Sequence, residues 1–137
     1  MSRSEEIKAI IARLYAARKS GDLDAILRFF AADATFAMSG SKQASGVAME
    51  AKGTDEIRAA LTNLLDAYDM QEQTILSFLV DEEKAAVHHQ SKMKFKPTGE
   101  VFETEMLDLW KLQGDKITSV IEFVDTALAQ HHLLQLK

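Results

Sequence analysis

The chain has 137 residues, of which 47% are hydrophobic, and a formal net charge of −5. This length suits an ordinary hydrophobic core, so we expect residues 1–137 to form a single domain. The acidic balance, with no dense block of Lys and Arg, excludes the usual electrostatic footprint of a nucleic-acid-binding protein.

Two absences narrow the chemistry and the environment further. The sequence contains no cysteine, which excludes disulfides, thiol catalysis and thiolate metal sites. Glu5 and Glu6 stand where a signal peptide would place apolar residues, and no apolar run approaches the ~20 residues of a membrane span. We therefore expect a soluble cytoplasmic protein with no membrane partner.

Helical spacing of apolar residues predicts three helices in the first half of the chain. Each apolar run follows a residue type that caps helix N-termini, namely Ser2, Asp22 and Thr54. The first run stops at Gly21, a residue type common at helix C-termini. The first predicted helix spans about 3–19, and the third runs from Thr54 to about Asp69. The second carries the apolar residues from Leu23 to Phe30 and ends at Asp33 and Thr35.

Two short strands and a polar loop are predicted between the second and third helices. The residue types favour strands at about 35–38 and 47–51. The Ser39–Ser45 segment between them consists of small and polar residues. Such a composition is typical of a loop, and we expect this loop to act as a lid if the protein binds a ligand.

Strand patterns dominate the second half of the chain. Alternating polar and apolar residues, separated by turn signals, predict strands at about 71–80, 85–95, 101–112 and 117–124. A helical tail follows at about 126–135. Helices in the first half followed by strands in the second predict an α+β fold.

The third of these strands carries one carboxylate among large apolar side chains. By strand alternation, Asp108 shares its face with Met106 and Trp110. A carboxylate in such surroundings loses its hydration, so it is either paired with a hydroxyl or a helix N-terminus, or available for proton transfer. The sequence leaves both interpretations open.

The hairpin between the last two strands decides whether a second carboxylate faces Asp108. A two-residue loop at 114–115 places Ile121 opposite Asp108, whereas a three-residue loop at 114–116 places Glu122 there. Two opposed carboxyl groups in an apolar cavity cannot both ionise cheaply, so such a pair could act as general acid and base. In the other register Glu122 is a solvated residue on the outer face.

The sequence indicates a possible site role for one histidine, and it predicts no metal site. His89 takes an inward position on its strand, either as a hydrogen-bonded core residue or as a group that orients a substrate or shares a proton with Asp108. His88 points to the opposite face, and His131 and His132 are about 100° apart on a helix. We therefore expect no metal and, without a glycine-rich phosphate loop, no nucleotide cofactor.

One face of the predicted sheet is apolar and has no evident cover. If Asp108 and Glu122 point towards the helices, six apolar residues face away from them. An uncovered apolar sheet face is most simply a dimer interface. The six residues are Ile75, Leu79, Leu107, Leu109, Ile121 and Phe123.

Three segments of the chain resemble a known family. Residues 10–36, the Lys-Gly-Thr-Asp-Glu-Ile stretch at 52–57, and residues 107–126 are similar to the SnoaL-like and ketosteroid-isomerase-like branch of the nuclear-transport-factor-2 superfamily. The resemblance implies a cystatin-like cone, in which a strongly bent mixed β-sheet wraps around the N-terminal helices. It also implies a pocket for a small apolar molecule and a homodimer formed through the sheet.

The family includes several activities, and each transfers only where its residues match. In the steroid-isomerase pattern the oxyanion-hole Tyr would fall at Leu14, the base at Met38 and the protonated Asp at Asp108, so only the Asp is matched. The limonene-epoxide-hydrolase pattern would place its acids at Asp108 and Glu122 but its Arg at Met106. SnoaL-type polyketide cyclases need an acid/base carboxylate in the closing strands with a polar helper, and Glu122 or Asp108 with His89 could serve. Of the three activities, this one conflicts least with the sequence.

We therefore predict a small dimeric pocket enzyme that carries out cofactor-free proton transfer on a small, largely apolar carbonyl or polyketide-like compound. Asp108 and Glu122 would share the acid and base roles, and His89 would position the substrate. The alternatives are a non-catalytic ligand-binding or accessory module, and a structural dimer whose cone is filled by its own side chains. The predicted pocket residues are Tyr15, Met38, Met106 and Trp110.

Overall fold

A computed structural model describes residues 1–44 and 46–136, which form four helices and six strands. No helix in these two stretches is both long and apolar enough to cross a membrane. The helices are α1 (Arg3–Ser20), α2 (Leu23–Leu27), α3 (Gly53–Ala67) and α4 (Thr126–Leu134). The strands are β1 (Phe30–Met38), β2 (Met49–Lys52), β3 (Tyr68–Asp81), β4 (Lys84–Phe95), β5 (Glu100–Gln113) and β6 (Lys116–Phe123).

The six strands form a mixed sheet in the order β2-β1-β6-β5-β4-β3. Neighbouring strands run antiparallel except β1 and β6, which are parallel. The chain places three helices before the long strands of the sheet. This arrangement confirms the predicted α+β class, with a mixed sheet and N-terminal helices.

The core lies between α1 and one face of the sheet. Ile7, Ile11 and Leu14 recur at three- and four-residue spacing along α1 and are buried. They belong to one cluster with sheet residues that include Val87 and Trp110. The helical period of α1 and the two-residue period of the strands therefore meet in the same core.

Both ends of α1 follow the predicted signals. The Ser2 side chain accepts a hydrogen bond from the backbone N–H of Glu5. Gly21 ends the helix with a φ of 72°, a left-handed conformation that glycine adopts without strain. These local signals place α1 within one residue of the predicted limits.

The second helix is shorter than predicted, and the first strand is longer. α2 ends at Leu27, although the prediction continued the helix through Phe30 to about Asp33, and β1 begins at Phe30 instead of Thr35. Phe30 pairs with Ile117 of β6, whose N–H donates to the carbonyl of Phe29 at 2.7 Å. This long-range pairing outweighs the helical spacing of the apolar residues.

The third helix begins differently from the prediction. Lys52, not Thr54, is its N-cap residue, and the Lys52 side chain makes no capping hydrogen bond. The carboxylate of Glu56 instead accepts from the backbone N–H of Lys52 at 3.0 Å. Gly53, with a φ of 82°, allows the chain to turn directly from strand to helix. β2 therefore continues to Lys52 instead of ending at Ala51.

The β5–β6 hairpin combines features of the two predicted alternatives. Its loop has two residues, 114–115. The pairing then skips Thr118 of β6, and this bulge moves the remaining pairs by one residue. Asp108 therefore lies directly opposite Glu122, although a regular hairpin with this loop would place Ile121 there.

A second register shift corrects the predicted outer face of the sheet. β3 shifts just after Ile75, which pairs with His89 and so shares its inward face. Leu79, Leu109 and Ile121 lie in one row on the outer face, joined through β4. The predicted outer-face residues that the pairings place together are Leu79, Leu107, Leu109, Ile121 and Phe123.

Candidate functional site

A cavity of about 240 Å³ lies between the helices and the inner face of the sheet. Mostly apolar side chains from α1, α3, α4 and the strands form its wall. Strand β5 contributes alternate residues, as expected for side chains on one face. These residues are Phe102, Thr104, Met106, Asp108 and Trp110.

Asp108 is buried in the cavity wall, with only 3% of its surface exposed. The Tyr15 hydroxyl donates to its Oδ2 atom at 2.6 Å, and Nε2 of His89 lies 3.0 Å from the same oxygen. The other oxygen, Oδ1, is buried and has no hydrogen-bond partner among the described residues. Asp108 thus has one oxygen held by two donors and one oxygen left for another group.

The two donors to Asp108 are themselves held by hydrogen bonds. Nε1 of Trp110 donates to the Tyr15 hydroxyl at 3.2 Å, and Oγ of Ser91 lies 2.9 Å from Nδ1 of His89. With a proton on Nε2, the His89 ring donates to Asp108, and its Nδ1 atom can accept from the Ser91 hydroxyl. Burial and the charge of Asp108 raise the pKa of Tyr15, so its hydroxyl stays protonated.

Glu122 faces the same cavity from β6, directly opposite Asp108. Burial and the negative charge of Asp108 raise the pKa of Glu122 to about 8, while Arg18 acts in the opposite direction. Most molecules therefore carry a protonated Glu122 at neutral pH. Glu122 therefore carries a proton that it can donate, and it faces a carboxyl group, that of Asp108, whose Oδ1 atom has no hydrogen-bond partner among the described residues.

Arg18, in the last turn of α1, also lines the cavity, and the sequence patterns above did not single it out. Its Nη2 atom donates to the carbonyl of Tyr68 at 3.3 Å. Burial lowers the pKa of Arg18, while the charges of Glu122 and Asp69 raise it. Arg18 follows Leu14 by four residues, and this spacing is a signal that both side chains share the inward side of α1.

A second buried histidine, His132, attaches α4 to the sheet and lines the cavity. Its Nε2 atom lies 2.6 Å from the Glu100 carboxylate, and its Nδ1 atom lies 2.9 Å from the Tyr68 hydroxyl. The ring stacks on Phe95 with a centroid distance of 4.4 Å.

The described stretches contain no group of three or more side chains that could hold a metal ion.

All seven residues predicted for the site lie in the cavity wall. Asp108 and Ser91 lie within hydrogen-bond distance of the two ring nitrogens of His89, which fits the predicted alternative of a hydrogen-bonded core residue. Tyr15 does more than line the wall, because its hydroxyl donates to Asp108. It follows Leu14, the position at which the steroid-isomerase pattern would place a Tyr, by one residue. The catalytic roles of these residues remain predictions.

The predicted lid contributes less to the cavity than the residues that follow it. Residues 39–44 do not line the cavity, and Ser45 lies outside the described residues. Gly46 and Val47 do line it. The backbone N–H of Gly46 donates to the side-chain oxygen of Gln130 at 3.1 Å, so this segment and α4 form one side of the wall together.

Solved structures with the same architecture align with nearly the whole chain. A Bacillus subtilis protein provisionally named an isomerase gives a TM-score of 0.85 at 10% sequence identity, covering 97% of this chain and 96% of its own. A nuclear-transport-factor-2-like protein from Burkholderia xenovorans LB400 gives 0.71 at 24% identity, covering 95% and 98%. A Xanthomonas campestris pv. campestris protein provisionally named a polyketide cyclase gives 0.75 at 14% identity, covering 96% and 99%. At these identities the similarity shows a shared fold.

The sequence also matches a family model directly. No curated protein matches the chain. The model described as the SnoaL-like domain matches residues 11–120, which include Tyr15, His89 and Asp108 and end two residues before Glu122. Because this match covers most of the chain and the fold is that of nuclear-transport-factor-2-like proteins, the protein belongs to the SnoaL-like domain family.

Proposed function

We propose that this protein is an enzyme that transfers a proton within a small, largely apolar carbonyl or polyketide-like compound, without a cofactor. The observation that carries the proposal is the pair of opposed carboxyl groups, Asp108 and Glu122, in the wall of a mostly apolar cavity. General acid–base catalysis requires one group that accepts a proton and one that donates it, and in this proposal Asp108 accepts the proton and Glu122 donates it.

The proposed reaction begins at the carbon next to the carbonyl group. Asp108 removes a proton from this carbon through Oδ1, which has no donor among the described residues. Glu122 gives its proton to the carbonyl oxygen, so the product is a neutral enol. Return of the proton from Asp108 to a carbon conjugated with the enol completes an isomerisation, whereas attack of the enol carbon on a second carbonyl group, whose oxygen takes the proton from Asp108, completes a cyclisation. In both cases the enol hydroxyl gives its proton back to Glu122, which regenerates the carbonyl group and the starting state of the enzyme.

Tyr15 and His89 act as positioning residues in this scheme. Both donate to Oδ2 of Asp108, and both are buried. Their hydrogen bonds fix the orientation of the carboxylate, so that its second oxygen is presented without reorganisation when a substrate binds.

The names of two similar structures support the general kind of activity. One is provisionally called an isomerase and the other a polyketide cyclase. Isomerisations and cyclisations of carbonyl compounds commonly proceed through an enol or enolate. Sequence identities of 10% and 14% carry the fold and not the activity, so the reaction assigned to this chain is our inference from its own residues.

Hydrogen–deuterium exchange at the α-carbon of 2-tetralone, followed by proton NMR in D2O, tests this function. The wild type should exchange the α-protons faster than buffer does, and Asp108→Asn and Glu122→Gln should each lower that rate about 100-fold or more. The matched control is Glu103→Gln, which changes an exposed carboxyl group on the same strand as Asp108 and should leave the rate unchanged. Exchange at the buffer rate with the wild type would contradict the proposal, as would equal rates for all three variants.

A second candidate function is ligand binding without chemistry, and the composition of the wall favours it. Methionine side chains adapt to ligands of different shape. In this case 2-tetralone should bind equally well to the wild type, Asp108→Asn and Glu122→Gln, with no exchange in any of them. The methionines that line the cavity are Met38, Met70, Met93 and Met106.

We also propose that a second copy of the chain covers the outer face of the sheet. Leu79 is 68% exposed and Leu109 is 38% exposed, and the row that they form with Ile121 extends from β3 to β6. A continuous apolar row of this kind favours burial against a matching surface. Light scattering should give a dimer for the wild type and for Leu134→Lys on α4, and a monomer for Leu109→Lys. A monomeric wild type would contradict the proposal.

A further inference from the structure

Arg18 brings a positive charge to the cavity, and none of the ion pairs among the described residues includes it. It lines both the cavity described above and a second cavity of about 270 Å³ at the ends of α1 and α3. Among the described residues its hydrogen-bond partner is the backbone carbonyl of Tyr68, at 3.3 Å. No carboxylate oxygen in the described stretches lies within 4.0 Å of a guanidinium nitrogen of Arg18, the distance that defines an ion pair.

The carboxyl groups near Arg18 leave its charge uncompensated at short range. Glu122 and Asp69 act on it only through electrostatic attraction without contact. Because burial and Asp108 raise the pKa of Glu122 to about 8, the attraction between Glu122 and Arg18 is weak at neutral pH and grows only as Glu122 ionises. A half-buried guanidinium without a counter-ion costs free energy. A ligand that supplies a negative charge at this position would reduce that cost.

The chemistry of guanidinium suggests what would complete this site. Arg presents five N–H donors in a rigid planar arrangement, and a carboxylate can accept two of them in parallel. Charge-assisted hydrogen bonds of this kind are about twice as strong as neutral ones. The single bond to Tyr68 leaves most of the donors of Arg18 without a partner among the described residues.

We propose that Arg18 is a specificity-determining residue that binds a carboxylate of the ligand, so that the cavity selects small carbonyl compounds that are also carboxylates. The inference rests on the proposed function for the position of the carbonyl group. Arg18 follows Tyr15 by three residues, about 4.5 Å along the helix axis. Arg18 and Tyr15, whose hydroxyl donates to Asp108, therefore lie close together along α1 at the same cavity.

A purely structural role for Arg18 leads to a different expectation. In that case the guanidinium only connects α1 to the start of β3 through the Tyr68 carbonyl and stabilises the C-terminal end of α1. Its removal would then lower stability and weaken all ligands alike. A role in recognition would instead change the preference between a charged and a neutral ligand of the same shape.

Calorimetric titration with 4-phenylbutyrate and its neutral amide, 4-phenylbutyramide, separates these roles. The wild type should bind the acid about tenfold or more tightly than the amide. Arg18→Met should abolish this preference by weakening the acid while leaving the amide within about twofold, and Arg18→Lys should keep part of it. Arg13→Met, at an exposed position of the same helix, is the matched control and should behave like the wild type.

Three results would overturn the inference: equal binding of acid and amide by the wild type, equal weakening of both by Arg18→Met, or no binding of either at millimolar concentration. The test does not depend on turnover. A preference for the acid without α-proton exchange would reject the catalytic proposal and keep the role of Arg18. Exchange without a preference for the acid would reject only the role of Arg18.

Discussion

Replacement of Tyr15 by Phe tests the hydrogen-bond network around Asp108. The substitution removes one hydroxyl group and keeps the ring. That hydroxyl donates to Asp108 at 2.6 Å and accepts from Trp110 at 3.2 Å, and only 7% of Tyr15 is exposed. One atom therefore connects a buried carboxylate to a buried indole N–H, and its loss affects both.

The size of the effect follows from these two contacts. A hydrogen bond to a charged group contributes about 1.5–3 kcal/mol, and leaving a buried donor unpaired costs about 1–3 kcal/mol. Tyr15→Phe breaks the first kind of bond at Asp108 and leaves Trp110 with an unpaired donor. His89 still donates to Asp108, and contributions within one network do not simply add. We therefore expect the free energy of unfolding to fall by about 2–4 kcal/mol.

Urea unfolding followed by circular dichroism at pH 7 measures this loss. Tyr68→Phe is the control, because its half-buried hydroxyl is bonded to the neighbouring His132 at 2.9 Å and not to a carboxylate. This variant should lose only about 0.5–1.5 kcal/mol. Equal losses for the two variants, or a loss below about 1 kcal/mol for Tyr15→Phe, would show that the Tyr15 hydroxyl does not stabilise the fold through Asp108 and Trp110.

Glu122 and His132 lead to two further predictions. The folded pKa of Glu122, about 8, exceeds its ordinary value of 4.5, so folding favours the protonated form. The wild type should therefore lose stability relative to Glu122→Gln between pH 5 and pH 9, on the order of 4 kcal/mol by urea unfolding, whereas equal pH dependence would contradict the raised pKa. His132→Ala removes the contact between α4 and Glu100, so amide exchange at 126–134 should become about tenfold faster or more. The control His131→Ala changes an exposed residue of the same helix and should leave exchange unchanged. Unchanged exchange in His132→Ala would show that other contacts hold the helix.

Features that depend on the burial of a single element were predictable from sequence. α1 has both an apolar face at helical spacing and a capping residue at its start, and these fix its limits. β4 and β5 alternate between polar and apolar residues, and this pattern places His89 and Asp108 on the inner face. In these cases the local pattern and the global fold agree.

Features that depend on strand register were not predictable in the same way. The bulge at Thr118 brings Glu122 opposite Asp108, and the shift after Ile75 turns that residue inward. No residue type in either segment demands a bulge, because a bulge reflects how the whole sheet bends and pairs. Phe30 likewise leaves its predicted helix only because β6 is present to pair with it.

The polar groups of the site fall between these two cases. Asp108 was recognisable as a carboxylate in an apolar row, whereas its contacts with Tyr15 and His89 bring together positions far apart in the chain. Arg18 had a usable signal, its spacing from the buried residues of α1. Helix ends usually carry solvated basic residues, so this spacing alone did not distinguish it from an ordinary C-terminal Arg.

All of the chemistry proposed for this cavity depends on Glu122 holding its proton at neutral pH opposite Asp108. Carbon-13 NMR of the Glu122 carboxyl group, assigned by comparison with Glu122→Gln and followed from pH 3 to pH 10, measures this directly. We expect a titration midpoint near pH 8. A midpoint near the ordinary value of 4.5 would contradict an acid–base pair in this cavity.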